Sequence, residues 1–107
     1  MNDMNGPKET FTYKDTFEIT VEKNMAYCEK DHRGIGWIEL AVSYGDDDLV
    51  DIRNTSVASM YRNQGIGSAL VQAMADRLRK DGRSAIVSCP FAKQWFEEHE
   101  DYQDVLN

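Results

Sequence analysis

Apolar and polar residues alternate along Phe17–Val21 (Phe-Glu-Ile-Thr-Val), the two-residue period of a half-buried strand. Two further strands are expected at Met25–Glu29 and Ile35–Tyr44, joined by Lys30-Asp31-His32-Arg33-Gly34, a polar stretch with a glycine suited to a hairpin turn. In the second of these, Ile38, Leu40, Val42 and Tyr44 fall on one face. Gly45-Asp46-Asp47-Asp48 reads as the next turn, after which β character resumes over Leu49–Val57 with Val50 and Ile52 on one side. The four segments form an antiparallel meander. Met1–Thr10 holds Gly6 and Pro7 and shows no period, so it is expected to be a mobile tail ahead of a single domain over residues 11–107.

Beyond Val57 the period changes. A polar connection, Ala58–Gln64, leads into a stripe of Ile66, Ala69, Leu70, Ala73, Met74 and Leu78, with Ser68, Gln72, Asp76, Arg79 and Lys80 facing away. This helix should stop at Gly82, a residue suited to a left-handed cap, after the basic residues Arg77, Arg79 and Lys80. Ser84–Ser88 is short, apolar in its centre and bounded by Gly82 and Pro90, as expected of a strand parallel to Leu49–Val57 after a right-handed crossover. Pro90 suits the first position of a second helix, which carries Phe91, Trp95 and His99 four apart. Tyr102–Leu106 reads as one more short strand. The class is α+β: an antiparallel strand meander, then a β-α-β unit with parallel, splayed strands and a second helix.

At 107 residues the chain has room for one core. Its formal net charge is −7 and its basic residues are scattered, so no positive stripe is available for nucleic-acid phosphates. The same charge favours a basic acceptor and repels an anionic ligand, unless the ligand's site supplies its own positive potential. Cys28 and Cys89 have neither a disulfide framework nor a zinc spacing, which suits a reducing cytoplasm. The start of the chain lacks a signal-peptide pattern and no long apolar run is present, so no membrane partner is expected.

The local positive site is offered by Arg62-Asn63-Gln64-Gly65-Ile66-Gly67. A glycine-rich turn opening a helix presents unpaired backbone N–H groups, and the helix dipole adds positive potential there. Arg62 adds forked donors for a phosphate oxygen. A nucleoside-triphosphate loop would need a lysine after its second glycine, where Ser68 stands. A dinucleotide fingerprint would need a small third residue at Leu70 and an acidic residue near the next strand's end, where the chain has Ser84–Cys89.

Val57–Leu70, read as Val-Ala-Ser-Met-Tyr-Arg-Asn-Gln-Gly-Ile-Gly-Ser-Ala-Leu, resembles the acetyl-CoA motif of the GNAT N-acetyltransferases. Cys89-Pro90-Phe91-Ala92 and Tyr102-Gln103-Asp104-Val105 resemble the Cys-x-Phe-Ala and Tyr-x-Asp-Val elements of the short single-domain GNAT-like proteins. The resemblance implies an acyl-CoA N-acyltransferase fold, acetyl-CoA as cofactor and an amine as acceptor. It also implies that the backbone of Thr55, Ser56 and Val57 pairs with the pantetheine arm. Arg62, Asn63, Gln64, Gly65, Ile66, Gly67 and Ser68 would wrap the pyrophosphate. Three departures stand out. Short relatives often carry His-Thr where this chain has Asn54-Thr55; Trp95 and Phe96 occupy the helix where many members place a tyrosine acid; and helices that shape the acceptor pocket are replaced by short turns. A CoA-binding module without turnover, or an interaction domain that has lost the ligand, are therefore the competing expectations.

Cys89 is the candidate catalytic residue, because a thiol at a helix N-terminus is biased toward the nucleophilic thiolate; a small core residue is the alternative. His99 and Glu39 are candidate bases, with a capping histidine and a surface carboxylate as the commoner outcomes. His32 should be solvated and Cys28 should belong to the core. Phe91, Trp95 and Phe96 fit a core better than a cofactor slot. Asp46-Asp47-Asp48 lacks the order of a calcium loop, and no metal site is expected.

Overall fold

Six strands form one sheet whose spatial order is the chain order, β1-β2-β3-β4-β5-β6. The computed structural model describes residues 8–43 and 45–107. The strands are β1 (Glu9–Tyr13), β2 (Phe17–Val21), β3 (Met25–Lys30), β4 (Arg33–Ser43), β5 (Asp46–Val57) and β6 (Ser84–Val87). The first five pair antiparallel, and β6 runs parallel to β5 from Leu49↔Ser84 to Ile52↔Val87. Helix α1 (Ile66–Asp81) makes the crossover and covers one sheet face, and α2 (Pro90–Glu98) follows β6. The α+β class and the meander followed by β-α-β are those expected.

Burial explains the packing. Ile19, Ala26, Cys28, Ile38, Val50 and Ile52 of the sheet are buried with Leu70, Val71, Met74 and Leu78 of α1, and Trp95 and Phe96 of α2 close the end of this core. Each large aliphatic side chain removed from water contributes about 1.5–3 kcal/mol. Gly82 takes φ 69° and its N–H bonds the Arg79 carbonyl, ending α1 at the expected cap. Two arginines are buried as well. Arg83, 5% exposed, donates to the Asp47 and Lys23 carbonyls and to Asn24 Oδ1 at 2.7, 2.9 and 2.9 Å. Arg77 donates to Asp81 at 2.8 Å.

Four expectations change. Glu9 and Thr10 belong to the sheet rather than a tail, since β1 pairs with β2 from Glu9↔Val21 to Tyr13↔Phe17; residues 1–7 lie outside the described residues. Asp46–Asp48 begin β5 instead of forming a turn, drawn in by Arg83 on the Asp47 carbonyl and by Lys23 on the Asp47 carboxylate at 2.5 Å. The apolar stripe of β4 ends early: Glu39 opposes Asn54 but Leu40 opposes Ile52, so Arg53 is an extra residue, and past this bulge Val42 is 41% exposed. Tyr44 lies outside the described residues. The last segment is a 3-10 helix, Glu100–Val105, which buries both Tyr102 and Val105; only Leu106 keeps a bridge to Ala85.

Candidate functional site

The parallel ladder ends on one atom. The Ile52 carbonyl accepts the N–H groups of both Ser88 and Cys89 at 3.0 Å. Asp51 holds the same junction, accepting from the Ser88 N–H at 3.1 Å and its hydroxyl at 2.8 Å. The chain then turns into α2, while β5 runs on to Val57 without β6 beside it. The resulting cleft has a volume of about 550 Å³. Thr55, Ser56 and Val57 line it from β5, and Arg62, Asn63, Gly65, Ile66, Gly67 and Ser68 from the loop and α1. Of the residues expected at a cofactor, Gln64 alone is not on its wall. Tyr61 and Phe91 complete it. A second groove, of about 560 Å³, lies between β1 and α1 and contains none of those residues.

The loop is shaped to receive an anion. Asn63 and Gly65 take left-handed conformations, φ 67° and 81°, a geometry that gathers successive N–H groups. No side chain caps α1, and Ala69 N to Gly65 O at 3.0 Å is its first backbone bond, so the N–H groups of Ile66, Gly67 and Ser68 have no helical acceptor. Arg62 Nε donates to the Val57 carbonyl at 3.1 Å, tying the loop to the end of β5; its other guanidinium N–H groups have no partner among the described residues. These donors, in an open cleft, suit a bound anion.

Both glycines also stand close under side chains of the protein. A Cβ on Gly65 would stand 2.5 Å from the Tyr13 hydroxyl, and one on Gly67 would stand 3.0 Å from Cζ of Phe91. Tyr13 and Lys14, at the β1–β2 turn, both donate to the Gln64 carbonyl, at 3.2 and 2.9 Å. Sequence reasoning missed this pair, because nothing local to Tyr13-Lys14 marks a contact some fifty positions away; the only signal is a lysine in a tight turn.

The candidate catalytic residues separate. Cys89 is the N-cap of α2, is 5% exposed, and its thiol lies 3.6 Å from Thr55 Oγ1, one residue behind the cleft wall. His99 caps the other end of α2: its ring stacks on Trp95 at 4.0 Å and Nδ1 donates to the Trp95 carbonyl at 2.6 Å. Glu39 is exposed on β4 opposite Asn54 and does not line the cleft. His32 is exposed in its turn, where φ is 66°. Cys28 is fully buried, and loss of solvent, with Glu29 nearby, pushes its thiol from 9.0 up to about 11. Trp95 and Phe96 are core, whereas Phe91 is 46% exposed at the cleft. Among the described residues no cluster of potential metal ligands occurs.

Comparisons with known proteins identify the family and the fold. The model of the GCN5-related N-acetyl-transferase family matches residues 16–105. The chain belongs to the GCN5-related N-acetyltransferase family. Members of this family transfer an acetyl group from acetyl-CoA to an amine. No curated protein matches the chain in sequence. Among solved structures, a GCN5-like protein from Staphylococcus aureus is similar at 28% identity and a TM-score of 0.63, covering 83% of this chain and 86% of that one. A GNAT family N-acetyltransferase from Escherichia coli in complex with CoA is similar at 25% identity and a TM-score of 0.51, over 59% of this chain and 38% of that one. The ribosomal-protein-S18-alanine N-acetyltransferase of Escherichia coli shares the fold at 22% identity and a TM-score of 0.57, over 69% and 49%. This GCN5-related N-acetyltransferase thus spans under half of the two Escherichia coli proteins and most of the Staphylococcus aureus one.

Proposed function

We propose that the chain holds acetyl-CoA with its pyrophosphate on the loop from Arg62 to Ser68 and its pantetheine arm along Thr55–Val57, and passes the acetyl group to an amine of a small molecule or a protein. The uncapped, glycine-rich start of α1 at the mouth of the splayed strands carries this reading. Acetyl-CoA brings an activated acyl thioester to the site. The edge of β5 beyond Ile52, freed by the departure of β6, offers backbone N–H donors to charge developing on the acyl oxygen. Arg62 sets the loop against Val57 and adds positive potential to an acidic protein. The amine attacks the carbonyl carbon and gives up its surplus proton to solvent, the carbon–sulfur bond breaks, and the CoA sulfur leaves with the electron pair and takes a proton. Trp95 and Phe96, which stand on α2, carry no acidic proton, and solvent in the open cleft supplies the one that the sulfur takes.

A second route is favoured by the place of Cys89. Its sulfur sits beside Thr55 where β5 and β6 part. Attack by the Cys89 thiolate would release CoA and leave an acetyl-cysteine, from which the amine then takes the acetyl group. The two buried, unbridged thiols suit a reducing cytoplasm.

The test is a thermal shift with acetyl-CoA, CoA and ATP, followed by CoA release with an amine panel. A ligand at 100 times its dissociation constant adds about 2.7 kcal/mol of stability. A shift with both CoA species but not ATP, diminished in Arg62→Ala, supports the site, and amine-dependent CoA release supports transfer. Binding without release points to a CoA-binding module, and no binding by folded protein removes the proposal. An acetyl adduct seen by mass spectrometry and lost in Cys89→Ala selects the second route.

A further inference from the structure

We propose that Lys14 is a cofactor-site residue, a cation delivered by the β1–β2 hairpin to the pyrophosphate loop, where it binds a phosphate of the nucleotide end of CoA while Tyr13 keeps the loop in place. The inference rests on the assignment of the cleft to acetyl-CoA.

Two side chains share one acceptor. Tyr13 and Lys14 both donate to the Gln64 carbonyl, at 3.2 and 2.9 Å. One donor satisfies a carbonyl, so Lys14 can leave this oxygen without orphaning it. The ammonium is exposed, has no carboxylate partner among the described residues, and lies 3.9 Å from the Cβ position of Gly65, the residue that caps α1. An ammonium on a flexible four-carbon stem needs only side-chain rotation to reach an anion held by the adjacent N–H groups.

The hairpin tip is also held in position. Lys14 and Asp15 take left-handed conformations, φ 53° and 57°, which closes the turn between the paired Tyr13 and Phe17. Tyr13 lies 6.4 Å from Phe17, which meets Tyr61 edge-on at 6.0 Å, directly before the loop. The turn is therefore held to the loop at Gln64 and, through Phe17, to Tyr61 just before it. In a chain of net charge −7, a cation held at Gln64, on the same loop as Arg62, supplies part of the local potential that an anionic cofactor demands.

Titration calorimetry of wild type, Lys14→Met and Lys14→Arg with CoA and 3′-dephospho-CoA tests this at low and high salt. Loss of a charge-assisted phosphate contact should weaken CoA binding about tenfold in Lys14→Met, with Lys14→Arg near wild type. The gap should close as salt screens the charge. A gap equally wide with 3′-dephospho-CoA assigns Lys14 to the pyrophosphate, and one that vanishes assigns it to the 3′-phosphate. Equal affinity of wild type and Lys14→Met for CoA overturns the proposal, as does a gap unchanged by salt; either leaves the cleft assignment standing. Failure of wild type itself to bind CoA overturns the cleft assignment and this proposal together.

Discussion

Replacing Gly65 by alanine tests whether the hairpin and the loop form one unit. Two costs follow from the geometry. The first is backbone: at φ 81° an L-residue is disfavoured by about 1 kcal/mol relative to glycine. The second is the new methyl, which would stand 2.5 Å from the Tyr13 hydroxyl and must push it off the Gln64 carbonyl. Losing that hydrogen bond costs about 1 kcal/mol more. Gly65→Ala should therefore destabilise by about 2 kcal/mol, a fall in Tm on the order of 10 °C for a domain of this size. In a Tyr13→Phe background the hydroxyl and its bond are already gone, and the next ring atom, Cζ, lies at an ordinary 3.7 Å. There the same substitution should cost only the backbone share, about 1 kcal/mol. Urea unfolding of the four proteins gives the cycle directly. Strict additivity, or a Gly65→Ala protein as stable as wild type, would refute the account of Gly65 as a residue crowded by Tyr13.

Other substitutions probe features away from the cleft. Arg83→Met removes donors to three acceptors, two on the β2–β3 loop and one at the start of β5, and should destabilise by about 3 kcal/mol, read from urea midpoints at constant slope; a loss under 1 kcal/mol would contradict the burial. Two buried acids govern the alkaline limit. Burial raises the Cys28 thiol from 9.0 to about 11, and burial together with the Asp76 hydrogen bond raises Tyr102 from 10.0 to about 12. Both hold their protons more tightly folded than unfolded, so their contributions are complete below pH 9.0 and 10.0 and are lost as pH climbs through about 11 and 12. Stability measured against pH should accordingly fall less steeply over these windows in Cys28→Ala and Tyr102→Phe than in wild type; unchanged slopes would show that neither group drives alkaline unfolding.

The parts of the molecule that were legible in the sequence are those set by local periodicity. β2 and α1 have sharp periods and sharp ends: Phe17–Val21 alternates cleanly, and the stripe from Ile66 runs to a left-handed Gly82. The turn ahead of α1 was legible because the glycines that shape it, Gly65 and Gly67, stand beside the start of the helical stripe. β1 was missed because Glu9–Thr12 are all exposed, so an edge strand of Glu-Thr-Phe-Thr signals no buried face. Asp46–Asp48 were misread because their place in β5 depends on Arg83, far along the chain. The last turn was misassigned because Tyr102 is fixed by tertiary partners, the Trp95 ring at 5.0 Å and the Asp76 carboxylate at 2.7 Å. Lys14 escaped notice for the same reason: its neighbour Gln64 is close only in space.

The agreement between strand order and chain order has a consequence for how the molecule assembles. From β1 to β5 each new strand docks on the one just completed, so loop closure along the meander is short and inexpensive in entropy. Only the β5–β6 pair must wait for the whole of α1 to cross over. The divergence of those strands therefore belongs to a step that follows the meander. Synthesis from the N-terminus delivers the five meander strands before β6 and α2, so the cleft opened by the divergence of β5 and β6 cannot take its shape until the chain beyond Gly82 has emerged.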